Sequence, residues 1–69
     1  MYRIELLDSN ESVVGFFEVP PRTRIASLPA KVGEAVKTRG AHSAVCWQVR
    51  YPDGKIMFRS EIWLGSLEG

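Results

Sequence analysis

Tyr51-Pro52-Asp53-Gly54-Lys55 stands between two runs rich in β-branched and aromatic residues, 43–51 and 55–64. Proline at the second turn position presets φ, and glycine at the fourth accepts the left-handed conformation. The segment therefore reads as a type I turn closed by a G1 bulge, and the flanking runs as an antiparallel hairpin. That hairpin carries a conflict of register. A three-residue loop pairs Tyr51 with Lys55 and Val49 with Met57, whereas hydrophobicity sets Val45, Trp47, Val49 and Tyr51 on one face with Ile56, Phe58 and Ile62. A slip of one residue turns every side chain over, so either a bulge intervenes or both faces are substantially apolar.

Upstream of the hairpin, Tyr2, Ile4 and Leu6 alternate with Arg3 and Glu5, the period of a half-buried strand. Asp8-Ser9-Asn10-Glu11-Ser12 is a run of turn formers. A second strand follows at 13–19, where Val14 and Phe16 point opposite to Val13, Phe17 and Val19, and Pro20-Pro21 ends it because neither donates a ladder hydrogen bond. Leu28, Val32, Ala35 and Val36 then recur at helical spacing, with Ser27 as the expected N-cap, Pro29 in the first turn and Gly40 as the stop. Gly33, inside the helix, reads as a site of close packing on a strand. The order is strand, strand, helix, strand, strand: a single α+β domain over 1–64, with a four-stranded antiparallel sheet, one helix on one face and a frayed tail at 65–69.

One helix of about 11 residues is roughly 16 Å long and covers one side of three or four strands. The other side is expected to carry surplus apolar residues, with Met57, Trp63 and one of the Phe16/Phe17 pair, Phe17 by choice, as the candidates. An apolar patch of that kind is the usual mark of association.

Composition is that of a small globular chain: 69 residues, 45% apolar and 25% charged. No apolar run approaches the ~20 residues of a membrane helix, and the N-terminus alternates rather than forming a signal peptide. With one cysteine, Cys46, no internal disulfide forms. These features lead us to expect a cytoplasmic protein. Net charge is +1, yet it is unevenly spread. Eight of nine bases fall between Arg22 and Arg59 with only Glu34 and Asp53 among them, a local balance of +6, while residues 1–20 carry −3 and residues 60–69 carry −2.

Catalytic and metal chemistry find little to stand on. His42 and Cys46, the only histidine and cysteine, fall about 13 Å apart if both sit on one strand, too far for a nucleophile–base pair. A zinc site needs three or four clustered ligands. Cys46 reads as a small buried hydrophobe. Glu5 and Glu18 could face each other across the first hairpin, as surface strand residues often do, with no pocket or partner to make them an acid–base pair, and Gly33, Gly40 and Gly54 fit no phosphate-binding loop. A chain this small rarely encloses a substrate pocket. No enzyme activity, cofactor, metal or small-molecule substrate is expected.

Arg39-Gly40-Ala41-His42, followed by a hairpin with Pro-Asp-Gly, resembles the Gly-Ser-His segment of HicA-type RNA-cleaving toxins. The resemblance implies an RNA-cleaving activity with His42 as catalytic residue. It covers about a third of the chain, with Ala41 in place of the serine, no strand before the glycine and no second helix.

The basic residues supply a further reading. Arg22 and Arg24 precede the helix, Lys31 and Lys37 ride on it, and Arg50, Lys55 and Arg59 belong to the second hairpin beside Trp47, Tyr51 and Phe58. Bases interleaved with aromatics are what single-strand and RNA binders use. Against it stand a pI of 7.9 and the lack of any nucleic-acid-binding motif. The sequence thus favours a non-catalytic module that binds a protein partner or a second copy of itself. In size and element order it is similar to the compact inhibitors and adaptors that phages and mobile elements encode. Nucleic-acid binding through residues 22–59 comes second, and the toxin reading third.

Overall fold

The structure, a computed structural model, describes residues 1–62. They form β1 (Tyr2–Leu7), β2 (Val13–Val19), α1 (Leu28–Arg39), β3 (Cys46–Arg50) and β4 (Ile56–Glu61), with a single 3-10 turn at Ile25–Ser27 ahead of the helix. The strands make one antiparallel sheet in the order β2-β1-β3-β4. The α+β, ββαββ architecture expected from the sequence is therefore present. Trp63 and the expected tail at 65–69 lie outside the described residues. Among the described residues no helix is long and apolar enough to cross a membrane.

Helix α1 buries Leu28, Val32, Ala35 and Val36, the expected stripe, together with Gly33. They pack with Ile4 and Leu6 of β1, Val19 of β2, and Trp47 and Val49 of β3. Gly40 ends the helix at φ 69°, and the Ala41 N–H donates to Val36 O across the reversal. Ser27 is the N-cap residue, as expected, but not through its side chain. Ser27 makes no side-chain cap; its hydroxyl donates back to Arg24 O at 2.7 Å, closing the 3-10 turn instead. Strand β3 begins at Cys46 rather than 43, because 41–44 form a turn whose Ala41 and Ala44 enter the core.

Bulges resolve both conflicts of register. In the second hairpin Gly54, at φ 93°, completes the turn, and the Tyr51 N–H donates to Lys55 O at 2.8 Å. The turn's register holds as far as Arg50 opposite Ile56, and then Val49 pairs with Phe58, so that Met57 is the extra residue. In the first hairpin Leu6 pairs with Gly15 but Leu7 with Val13, leaving Val14 as the extra residue. Each bulge inserts one residue and so exchanges the faces beyond it.

The surplus apolar residues are consequently not where the sequence placed them. Phe17 lies opposite Ile4, on the helix side, and both Phe17 and Met57 pack, half buried, against the core. The uncovered face presents Arg3, Glu5 and Leu7 of β1, Phe16 and Glu18 of β2, Cys46, Gln48 and Arg50 of β3, and Arg59 and Glu61 of β4. It is a mixed face: a charged centre is flanked by the exposed Val13 and Phe16 of β2 and Ile56 of β4, and neither Phe17 nor Met57 is on it. Cys46 on it is half buried rather than a core residue.

Candidate functional site

The centre of the uncovered face is a fixed polar network. Glu5 is 7% exposed and Gln48, its cross-strand neighbour, 2%. The Gln48 side-chain amide donates to Glu5 Oε1 at 2.7 Å, and the Arg50 guanidinium forms an ion pair with the same oxygen. Arg50 also donates to Gly54 O, tying the network to the hairpin turn. On the other flank Arg59 donates to Gln48 Oε1 at 2.9 Å and pairs with Glu11 of the β1–β2 loop. Burial alone would push the Glu5 carboxyl up. The bonds from Gln48 and Arg50, with the charges of Arg50 and Arg3, outweigh that and hold it below its ordinary range. Every buried side-chain polar atom among the described residues has a hydrogen-bond partner. A network so fully satisfied is already spent on its own members.

The candidate basic surface does not form one face. Arg50 and Arg59 lie on the uncovered side, each engaged with an acid. Lys31 and Lys37 are exposed on α1, on the opposite side of the sheet, while Arg22, Arg24 and Lys55 are exposed in connecting segments. His42 is exposed in the turn before β3. Among the described residues no three His, Cys, Asp or Glu side chains gather as a metal site would require.

What remains is the outer edge of β2. The Leu7 carbonyl accepts from the Val45 N–H at 2.7 Å, whereas the Asp8 N–H donates to Ser12 O. Leu7 thus turns its backbone towards β3 and Asp8 towards β2. Alternation along an antiparallel strand then sends Glu5 and Arg3 to β3, and Leu6, Ile4 and Tyr2 to β2. The partners of the latter three, Gly15, Phe17 and Val19, are tied to β1. Phe16 and Glu18 therefore turn their N–H and C=O groups outward, where no described strand receives them.

This edge is poorly guarded. Val13, Val14 and Phe16 are 49%, 36% and 46% exposed, and Glu18 is the one charge on the strand. Strand β4 instead carries Arg59 and Glu61, the kind of charged residues that keep an edge from pairing. The bulge at Val14 limits the regular edge at one end and Pro20 at the other, leaving 15–19 as the accessible stretch. On its helix side, Phe17 and Val19 border a shallow groove whose opposite wall is Lys31, Glu34, Thr38 and Arg39 of α1. On its far side the Arg3 guanidinium lies 4.6 Å over the Phe16 ring.

Of the partner-binding residues expected from sequence, Phe17 is thus at this edge, Met57 is packed in the core margin across the sheet, and Trp63 lies outside the described residues. Sequence reasoning took Phe17 over Phe16 and missed Glu18. The apolar run Val13-Val14-Gly15-Phe16-Phe17 signals an adhesive strand, but only strand order shows which edge is open. No protein-family model, curated protein or solved structure matches this chain.

Proposed function

We propose that this chain is a non-catalytic binding module that associates with another polypeptide by pairing it along the open edge of β2. The observation that carries this reading is the outward row of backbone groups at Phe16 and Glu18, set in an apolar strand with a single guarding charge. Strand addition takes its affinity from main-chain hydrogen bonds and its selectivity from alternate side chains. Here the alternate side chains are Phe16 and Glu18 on one face and Phe17 on the other. A module of this design acts as an inhibitor or an adaptor by occupying a strand of its partner.

Glu18→Pro tests the reading. It removes one outward N–H and costs the β1–β2 ladder no bond, because proline is tolerated where the N–H faces away from the sheet. Wild type and variant, immobilised side by side at equal folded content, should differ. Wild type should retain a stoichiometric polypeptide, either its own kind or another protein, and the variant should lose it. Equal retention by both, or retention by neither, would refute association through β2.

A further inference from the structure

Resting on that reading, we propose that the polypeptide paired along β2 is β2 of a second copy, antiparallel to the first about a two-fold axis through Phe17. The accessible stretch, 15–19, is five residues long between the Val14 bulge and Pro20, and Phe17 is its midpoint. The outward backbone groups, Phe16 and Glu18, are placed symmetrically about that midpoint. Antiparallel pairing sets Phe16 of each copy opposite Glu18 of the other. Each such pair exchanges both N–H···O bonds, giving four bonds across the axis. A two-fold interface requires a surface complementary to itself, and this edge meets that condition in both faces.

On the uncovered face, the Glu18 carboxylate of one copy arrives beside Phe16 of the other, over whose ring Arg3 already lies. Among the described residues Glu18 has no ion pair, although Arg3 is its cross-strand neighbour. Arg3 leans to the aromatic ring instead, and association brings a carboxylate to that same place. The two Glu18 side chains are held diagonally apart, about 7–8 Å between backbones, so the like charges do not meet directly. On the helix side, Phe17 of each copy meets its counterpart at the axis. That pair does not exchange backbone hydrogen bonds, and such pairs bring side chains closest.

The grooves flanking the axis contribute as well. Each carries Lys31 and Glu34 one helical turn apart, so a groove facing its own copy meets both signs. The product is a continuous sheet in the order β4-β3-β1-β2-β2-β1-β3-β4. It buries both poorly guarded edges and leaves the charged β4 edges outermost, an arrangement that stops at two copies.

The experiment follows molecular mass by sedimentation across a wide concentration series, with amide hydrogen exchange measured at both ends of it. Mass should rise from one chain to two, and the Phe16 and Glu18 amides should exchange about tenfold more slowly at high concentration. The Phe17 amide, bonded to β1 in either state, should change little. Glu18→Arg should weaken the dimer, and adding Arg3→Glu should restore it. These readouts use wild type first, so poor folding of a variant does not decide the result. A single-chain mass throughout with unchanged exchange would overturn the proposal. So would a dimer whose Phe16 and Glu18 amides stay unprotected. Wild type that is strictly monomeric, yet captures a foreign protein in a manner lost in Glu18→Pro, would overturn the second copy and leave strand addition standing.

Discussion

Glu5→Gln isolates the charge at the centre of the uncovered face while keeping the side chain's shape. Glu5 Oε1 receives both the Gln48 amide and the Arg50 guanidinium, and the carboxylate is almost fully buried by its neighbours. A hydrogen bond to a charged group contributes about 1.5–3 kcal/mol. Two features reduce the loss. The Arg50 side chain is 34% exposed, so water takes up part of its charge. The glutamine oxygen also still accepts one donor. The expected cost at pH 7 is therefore one charge-assisted bond at the low end of its range, about 1.5–2 kcal/mol. In a domain of this size that lowers Tm by roughly 6–16 °C.

The dependence on pH separates this account from a loss of packing. The Glu5 carboxyl titrates lower in the folded chain than in the unfolded one. Its contribution is therefore complete above the unfolded value of about 4.3 and disappears as pH falls through the lower, folded value. Urea unfolding of wild type and Glu5→Gln should differ by a constant amount from pH 7 to about 5, then converge below about 4 as wild type loses the Glu5 contribution that the variant lacks throughout. A difference under about 0.5 kcal/mol at pH 7, or one that persists unchanged to acid pH, would refute the reasoning.

Two further substitutions probe the helix. Val32→Asp places an unpaired carboxylate at a position 1% exposed, between α1 and the sheet. A chain of this length has about 3–10 kcal/mol of stability in all, so circular dichroism should show an unfolded protein; a cooperative melt near wild type would mean the buried helix face is misassigned. Gly40→Ala forces a Cβ into φ 69°, with nothing within 4 Å of the added atom. The cost is then conformational alone, about 1–2 kcal/mol in urea unfolding with the fold retained. A neutral result would place the helix stop elsewhere.

The parts of this fold legible in the sequence are those set by local chemistry. Pro52-Asp53-Gly54 dictates its own turn, and the stripe from Leu28 to Val36 has only one sensible face. Gly40 marks a helix end because few other residues adopt its φ. The bulges at Val14 and Met57 are of another kind. Each is required by a mismatch between turn register and core register, and the mismatch is visible in the sequence. Its position depends on where two strands and a helix agree to meet, which no local signal records. Because each bulge turns over the residues beyond it, the expectation that Phe17 and Met57 lie on the uncovered face failed with the uniform register.

The charge pattern is dispersed by the same strand order. A basic middle and acidic ends look like a surface for a polyanion when the chain is read in a line. In the sheet, β1 lies between β2 and β3, so Arg3 stands directly opposite Arg50. Two like charges in that relation repel, and the structure separates them: Arg50 turns to Glu5 and Arg3 to Phe16. Glu5, a charged residue in an alternating strand, reads as solvent-facing. It is buried with Gln48, its cross-strand neighbour, where Arg50 and Arg59 bond to the pair, an arrangement that exists only once the strand order is set.

That same strand order decides where association is possible. The chain connects β2 to β3 through the helix, and β3 joins the sheet beside β1 rather than beside β2. Had β3 added next to β2, Phe16 and Glu18 would be internal ladder residues and the charged β1 would be the edge. Placing β2 outside leaves the most apolar strand of the uncovered flank as the one without a neighbour, which runs against the usual protection of sheet edges. A bulge at Val14, Pro20 and the single carboxylate of Glu18 are weak guards for a five-residue edge whose Phe16 and Glu18 backbones are open. They limit the length and direction of what can pair there more than they prevent it, and that limited, self-complementary window is what we expect the protein to use.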